Sequence, residues 1–171
     1  MIQPKRDTGP NALRRGRMSI PQADYFVTVC LYPRRDLLVP TVADALLREA
    51  KCLTSDGSWT LRCLTVIPDH AHLFFTLGQR LKLSQTIARF KTKTQVFIRS
   101  QGSDWQDNFY DHKVSPEDSI EQIIRYIFLN PFRAGLTTQG ASWPYFYCRD
   151  EDWEWFVRLT DDHQPSPEWL Q

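Results

Sequence analysis

Apolar residues alternate with polar ones in some stretches of the chain and recur every three or four positions in others. Stretches rich in β-branched and aromatic residues predict four strands, at 24–32, 59–67, 70–77 and 105–114. Helical spacing predicts two helices, one capped by Thr41 and running to about residue 50, the other over 82–99. The order β-α-β-β-α-β is typical of the ferredoxin-like α+β fold with an antiparallel sheet. In that topology the first and third strands are central.

A further helix is predicted at the C-terminal side of this sheet, over 119–130. Ser115, followed by a proline and two acids, is expected to start it as N-cap, and Pro131 to end it. Isoleucines form its buried arc, which sets Tyr126 at the edge of the arc with Asn130 one turn further along. A mid-helix tyrosine is usually a packing residue with a wet hydroxyl, so the helix alone does not distinguish packing from catalysis.

Two histidines, His70 and His72, open the predicted strand 70–77 inside an apolar run. Side chains alternate faces along a strand, so both imidazoles point the same way. Burying two such rings side by side costs desolvation and, if both are protonated, repulsion, and a bound cation would offset that cost. The spacing therefore favours a metal site, with the metal unspecified. The alternative is that one of the two is an ordinary core or edge histidine.

The composition is that of one compact domain. The chain has 171 residues, 42% of them hydrophobic, a length common for single domains. No apolar run approaches the roughly 18 residues that span a bilayer, and the first residues lack the apolar core of a signal peptide. The four cysteines form no C-x-x-C spacing, which argues against a zinc knuckle or a disulfide framework. We expect a soluble intracellular protein with reduced cysteines.

Charge divides the chain into three parts. Residues 1–148 hold 19 Lys and Arg against 13 Asp and Glu, whereas residues 149–171 hold 2 against 7. The stretch 1–21 is basic and interrupted by prolines and glycines, which predicts a flexible arm. The remainder divides into a domain at 22–148 and an acidic tail at 149–171. This split indicates a body that binds a polyanion, although solvated charge and a merely solubilising tail are the alternatives.

Two groups of basic residues are candidates for binding DNA. The arm supplies the first group, Arg14, Arg15 and Arg17, which would release counterions by lying along phosphates. The helix over 82–99 supplies the second group, Lys82, Arg89 and Lys93. These three fall beside the core-facing stripe, where they could line a groove. A passive leader and an ordinary amphipathic surface helix are the respective alternatives.

Longer motifs resemble one protein family. The motifs are Pro68-Asp69-His70-Ala71-His72-Leu73, then Trp105-Gln106, then Phe109-Tyr110-Asp111-His112, and finally the run from Tyr126-Ile127 through Asn130-Pro131 to Ala134-Gly135-Leu136. In this order and spacing the sequence resembles the REP-associated tyrosine transposases, relatives of the single-tyrosine HUH transposases of bacterial insertion sequences. The resemblance covers roughly residues 20–148. Three positions depart from the usual pattern: Ala71 is smaller than usual, Asp69 stands where Asn is common, and Ser115 stands where Arg is frequent.

The resemblance implies roles for four residues. His70 and His72 would bind a divalent metal, Asn130 would complete the site, and Tyr126 would be the nucleophile. Imidazole and amide ligands with open positions suit Mg²⁺ or Mn²⁺. Asp69 could add a carboxylate outside the ligand set.

The implied reaction is attack on a DNA phosphodiester to form a 5′-phosphotyrosine, in single-stranded DNA with a REP-type palindromic hairpin. It needs no nucleotide cofactor, because the bond energy is conserved. A cytoplasmic, nucleoid-associated bacterial protein without membrane partners is expected, and the residues leave monomer or homodimer open. Two other functions remain: a hairpin-binding module that does not cleave, and a metallohydrolase that uses an activated water.

Overall fold

The computed structural model describes residues 19–34 and 40–170. Its strands are β1 (Asp24–Tyr32), β2 (Trp59–Ile67), β3 (His70–Leu77), β4 (Asp104–Trp105), β5 (Tyr110–Lys113) and β6 (Phe146–Cys148). Its helices are α1 (Pro40–Ser55), α2 (Leu83–Arg99), α3 (Ile120–Arg133) and α4 (Asp150–Phe156). No helix of the described part is long and apolar enough to cross a membrane. Most of the predicted arm lies outside the described residues, including Arg14, Arg15 and Arg17.

The strands form one antiparallel sheet in the order β4-β1-β3-β2-β6, with β5 also paired to β1. Strands β1 and β3 are central, so the ferredoxin-like prediction is confirmed. The fourth predicted strand is instead two short strands on one edge of β1. Between them the carbonyls of Gln106 and Asn108 accept hydrogen bonds from the Lys91 ammonium at 2.6 and 2.9 Å. These hydrogen bonds fall in the break between β4 and β5.

The two faces of the sheet are covered by different helices. Along β1, residues such as Tyr25 and Val27 are fully buried in a large apolar core that includes residues of α1 and α2. The alternate residues face the other side, where α3 and α4 form a second, smaller cluster around Phe74 and Phe128. A β-bulge in β2 between Leu61 and Cys63 shifts the register there. Each face thus has its own core, and the sheet separates the two.

Helix α3 differs from its prediction at both ends. Its N-cap is Ser119, whose hydroxyl accepts a hydrogen bond from the Gln122 N–H, so the prediction of Ser115 as N-cap is wrong. The Asp118 carboxylate accepts hydrogen bonds from the backbone N–H and hydroxyl of Ser115, which holds that residue in a turn. At the other end the helix continues through Pro131 to Arg133.

Residues after Cys148 are not a free acidic tail. Helix α4 buries Phe156 in the cluster under α3 and buries the carboxylate of Asp152. Asp152 receives hydrogen bonds from Arg62 of β2 at 3.0 and 2.7 Å and from Arg149 at 2.5 Å. Part of the acidic charge at 149–171 is therefore neutralised inside the fold. The added helix α3 is likewise followed by further packed structure and does not end the fold.

Candidate active site

His70 and His72 lie side by side on the α3 face of the central strand β3. Their Nε2 atoms are 3.1 Å apart and the rings meet edge to face, with centroids at 4.6 Å. His72 is only 4% exposed, and its ring stacks on Phe26 of β1 with centroids at 5.6 Å. The expectation that alternation places both rings on one face is confirmed.

Burial determines the charge of His72. Loss of water contact, together with the neighbouring His70, lowers the pKa of His72 to about 3. The ring is therefore neutral near pH 7, which leaves one nitrogen lone pair free to bind a cation or accept a hydrogen bond.

Helix α3 brings Tyr126 and Asn130 to the same place. Asn130 Nδ2 is 2.9 Å from His72 Nε2, and the Tyr126 ring lies edge-on to the His72 ring with centroids at 5.2 Å. Tyr126 also lines a pocket of about 170 Å³, and the residue is 42% exposed. Spacing of four residues places both side chains on one flank of the helix. All four side chains come from one chain, and one of them remains accessible to a large substrate.

The nitrogen positions are compatible with a divalent cation. Two ligands at right angles on an ion with bonds of about 2.1 Å lie about 3.0 Å apart. The Nε2 atoms of His70 and His72 have this spacing, and so has the Asn130 amide relative to His72. Turning the amide of Asn130 over brings its oxygen to the position of Nδ2. Within residues 19–34 and 40–170, no group of three or more His, Cys, Asp or Glu could hold a metal, so an amide would have to complete this set.

The far side of each imidazole ring is also occupied. His70 Nδ1 is 2.6 Å from Asp69 Oδ1, and the other Asp69 oxygen forms an ion pair with Arg34 at 3.2 Å. His72 Nδ1 is 2.8 Å from Thr28 Oγ1. Sequence reasoning had considered Asp69 but missed Thr28 and Arg34. The pairing of Thr28 with His72 depends on the register between β1 and β3, which no local pattern reveals.

The basic residues of α2 lie away from the histidines. Because α2 packs on the opposite face of the sheet, Lys82, Arg89 and Lys93 do not share a surface with this site. Arg89 pairs with Asp56 at 2.8 Å and Lys93 with Glu49 at 3.2 Å. The structure therefore brings together the four proposed site residues but not these three cations.

A separate groove of about 620 Å³ runs between α2 and the residues after β4. Lys82 and Lys91 line it together with the aromatic side chains of Trp105 and Phe109. Of the three basic residues predicted to line a groove, Lys82 is the one on this groove.

Comparison with known proteins agrees with the fold and the motifs. Residues 19–129 match the family described as IS200-like transposase, Y1_Tnp. The chain is similar to the REP-associated tyrosine transposase of Escherichia coli (strain K12), with 25% identity over 131 residues, covering 75% of this chain and 78% of that protein. Its fold is similar to the solved structure of a REP-associated tyrosine transposase bound to a REP hairpin, with a TM-score of 0.65, 24% identity, and coverage of 76% of this chain and 79% of the other.

These findings confirm the resemblance to REP-associated tyrosine transposases and the ferredoxin-like fold. The solved structure supports the fold, while the family match covers β1, β3 and the part of α3 that contains Tyr126, and it ends one residue before Asn130. Because the match extends over more than half of the sequence, the chain belongs to the Y1_Tnp family of IS200-like transposases.

Proposed function

We propose that this protein is a metal-dependent endonuclease and strand transferase that acts on single-stranded DNA beside REP-type palindromic hairpins. The observation that carries the proposal is the packing of Tyr126 against His72 in a site that also contains His70 and Asn130. Family membership supports the reaction class. The hairpin is taken from the relatives, one a REP-associated transposase and one solved with a REP hairpin.

Tyr126 is the proposed nucleophile. Its hydroxyl oxygen bonds to phosphorus while the bond from phosphorus to the 3′ oxygen breaks, and the hydroxyl proton is passed on to that leaving oxygen. The products are a 5′-phosphotyrosine and a free 3′-OH, which can reverse the step or accept another strand. Since one phosphate ester replaces another, no nucleotide cofactor is needed. Exposure of Tyr126 beside an open pocket supports access of a DNA backbone.

His70, His72 and Asn130 would hold the metal. A Mg²⁺ or Mn²⁺ ion there supplies positive charge to the phosphate oxygens, and imidazole ligands favour Mn²⁺ of the two. The neutral state of His72 at pH 7 supports this role, because a protonated ring cannot be a ligand. The geometry also supports action of Tyr126 in its own chain, because α3 packs on the sheet that carries the histidines.

Binding of the hairpin is proposed to involve basic residues outside the site. Arg14, Arg15 and Arg17 would contact phosphates, and Lys82 would contribute from the groove beside α2. Arg89 and Lys93 are weaker candidates, since they already form ion pairs with Asp56 and Glu49. Deletion of residues 1–17 should flatten the dependence of binding on salt. An unchanged slope of log affinity against log salt would mean that the arm is passive.

The test is a comparison of Tyr126→Phe with Tyr110→Phe. Both tyrosines are exposed, but Tyr110 lies on β5 at the edge of the sheet. With single-stranded hairpin DNA and Mn²⁺, Tyr126→Phe should lose the covalent adduct and at least about 10³-fold in cleavage while still binding DNA. Tyr110→Phe should retain both activities. Mass spectrometry of the denatured protein identifies the modified residue.

The outcomes also separate the two other functions. Cleavage without any adduct, unaffected by Tyr126→Phe, would indicate a hydrolase that uses a metal-activated water. Binding of the hairpin by wild-type protein without cleavage in either metal would indicate a non-catalytic module. An adduct on Tyr110 would overturn the assignment of the nucleophile alone.

A further inference from the structure

We propose that Asp69 and Thr28 are positioning residues that fix the tautomers of His70 and His72, so that both Nε2 atoms are presented as a ligand pair. This inference rests on the proposed metal site and extends it to residues that do not contact the metal. Neither residue lies among the four that the family resemblance implies. The evidence is the hydrogen bonding on the Nδ1 side of each ring.

Asp69 acts on His70. A carboxylate can only accept a hydrogen bond, so the 2.6 Å contact to Nδ1 requires the proton to be on that nitrogen. The Nε2 atom of His70 is then the one with the lone pair. Two further contacts hold Asp69 in place: its second oxygen pairs with Arg34, and its backbone carbonyl accepts from the Leu31 N–H at 2.9 Å. Its side chain therefore has little freedom to release the ring.

Thr28 acts on His72 from the neighbouring strand. The two residues are Cα partners in the pairing of β1 with β3, and Oγ1 lies 2.8 Å from Nδ1. A hydroxyl can donate or accept, so this contact alone does not fix the tautomer. The other side of the ring bears on the choice: with the Asn130 amide in the orientation seen here, its Nδ2 is a donor 2.9 Å from Nε2 of His72. In this arrangement Nε2 accepts and Nδ1–H donates to Thr28; a rotated amide would offer Oδ1 to the ion that takes the same Nε2 lone pair.

Together the two contacts turn two lone pairs toward each other. The Nε2 atoms of His70 and His72 are 3.1 Å apart, so two acceptors lie side by side and one cation could bind to both. Metal-bound histidines commonly donate their other N–H to a carboxylate or another oxygen, which sets the ring orientation and the basicity of the ligand. Asp69 and Thr28 give both rings such a partner before any ion binds.

The strand on the other side of β3 supplies a matched control. Thr65 of β2 is the Cα partner of His72 on that side, just as Thr28 is on the β1 side. Its Oγ1 is buried and makes no hydrogen bond to any described residue. Replacement of either threonine by valine makes the same change of shape next to the same histidine. Only the variant of Thr28 removes a hydrogen bond from the ring.

The first measurement is the tautomer of each histidine in metal-free protein, read from two-bond ¹H–¹⁵N correlation spectra with chelator present. Wild-type protein should show both rings protonated at Nδ1. Asp69→Ala should release His70 into a mixture of tautomers, and Thr28→Val should do the same for His72. Thr65→Val should leave both rings as in wild type. Asp69→Asn, whose amide oxygen can still accept, should restore His70 toward the wild-type state.

The second measurement is Mn²⁺ affinity by titration calorimetry on the same proteins. Asp69→Ala and Thr28→Val should each weaken binding by about 10-fold or more, with Thr65→Val unchanged and Asp69→Asn between the extremes. Wild-type tautomers or wild-type affinity in Asp69→Ala and Thr28→Val would overturn this inference while leaving the proposed function intact. A wild-type protein that binds no Mn²⁺ would instead refute the metal part of the proposed function, and this inference with it.

Discussion

The face of the sheet under α1 and α2 and the face under α3 bury different kinds of side chain. The first buries apolar side chains such as Trp59, Phe75 and Phe90, with ring contacts at 4.6 and 5.6 Å from Trp59, and its buried polar groups include the hydroxyls of Thr86 and Thr94. The second also buries ionisable groups, above all Arg62 and His72. Apolar burial contributes on the order of 1.5–3 kcal/mol for each large side chain. Polar burial contributes only where partners are supplied.

This difference separates stability from chemistry within one sheet. On the α3 face Arg62 has two carboxylate partners, Asp24 and Asp152, and lies over the Phe74 ring at 4.5 Å. His72 has Thr28 and Asn130. Substitutions on the α1 and α2 face should therefore change the free energy of unfolding alone, whereas those on the α3 face can change the free energy of unfolding, the site, or both.

The largest loss of stability is expected from Phe75→Ala on the α1 and α2 face. Phe75 is fully buried and packs on Tyr25 and Trp59. Its truncation should lower the free energy of unfolding by about 3–5 kcal/mol, while Mn²⁺ affinity of the folded protein stays as in wild type. Urea denaturation and calorimetry measure the two effects. Weaker Mn²⁺ binding by folded Phe75→Ala would show that packing on the α1 and α2 face also controls the site on the α3 face.

Next in size is Asp152→Ala, which leaves the buried Arg62 without one of its carboxylates. Because Arg62 keeps its ion pair with Asp24, the loss should be smaller than the roughly 3–5 kcal/mol of a buried charge left without any partner, at about 2 kcal/mol. Glu154→Ala in the same helix is the control, since Glu154 is exposed and should change stability by less than about 0.5 kcal/mol. Equal losses in the two variants would mean that α4 contributes through its helix alone.

A pH dependence should follow from His72. Its pKa is about 3 in the folded chain and near 6.5 when unfolded, so between these values the unfolded chain binds the extra proton. Stability should therefore fall as pH drops from 6.5 toward 3, by about 1.4 kcal/mol per pH unit. His72→Gln should remove this part of the slope, measured by urea denaturation in chelator. Parallel slopes for the two proteins would show that His72 titrates freely in the fold.

The smallest effect is expected at the start of α3. Ser119→Ala removes the side chain that accepts from the Gln122 N–H and should cost about 1 kcal/mol. A larger loss in Ser115→Ala than in Ser119→Ala would place the helix start at the earlier serine.

Much of the fold was predictable because its signals are local. Stretches rich in β-branched and aromatic residues located β1, β2 and β3, and the alternation of side chains along a strand placed His70 and His72 on one face. The start of α3 was not predictable, because two serines four positions apart both had the character of an N-cap. The earlier serine, Ser115, donates hydrogen bonds to the Asp118 carboxylate, which also lies 3.0 Å from His112 Nε2.

Contacts distant in sequence account for the other errors. Asp152 reads as a solvated acid until Arg62, 90 residues earlier, is placed beside it. Thr28 likewise reads as an ordinary strand residue until the register with β3 is known. The family resemblance named Tyr126 and Asn130 but gave no distances between them and the histidines. The structure adds that helix α3 continues beyond Asn130 to Arg133, with Pro131 inside it.

Packing of α3 on its own sheet has a consequence for how the protein behaves at low copy number. A site assembled from one chain forms by folding alone, so its population does not depend on the chance of meeting a second copy. If Tyr126 acts in its own chain as proposed, specific activity would stay constant on dilution, and each molecule would be equally active at low and at high copy number. A tyrosine borrowed from a partner would instead make activity fall as the dimer dissociates.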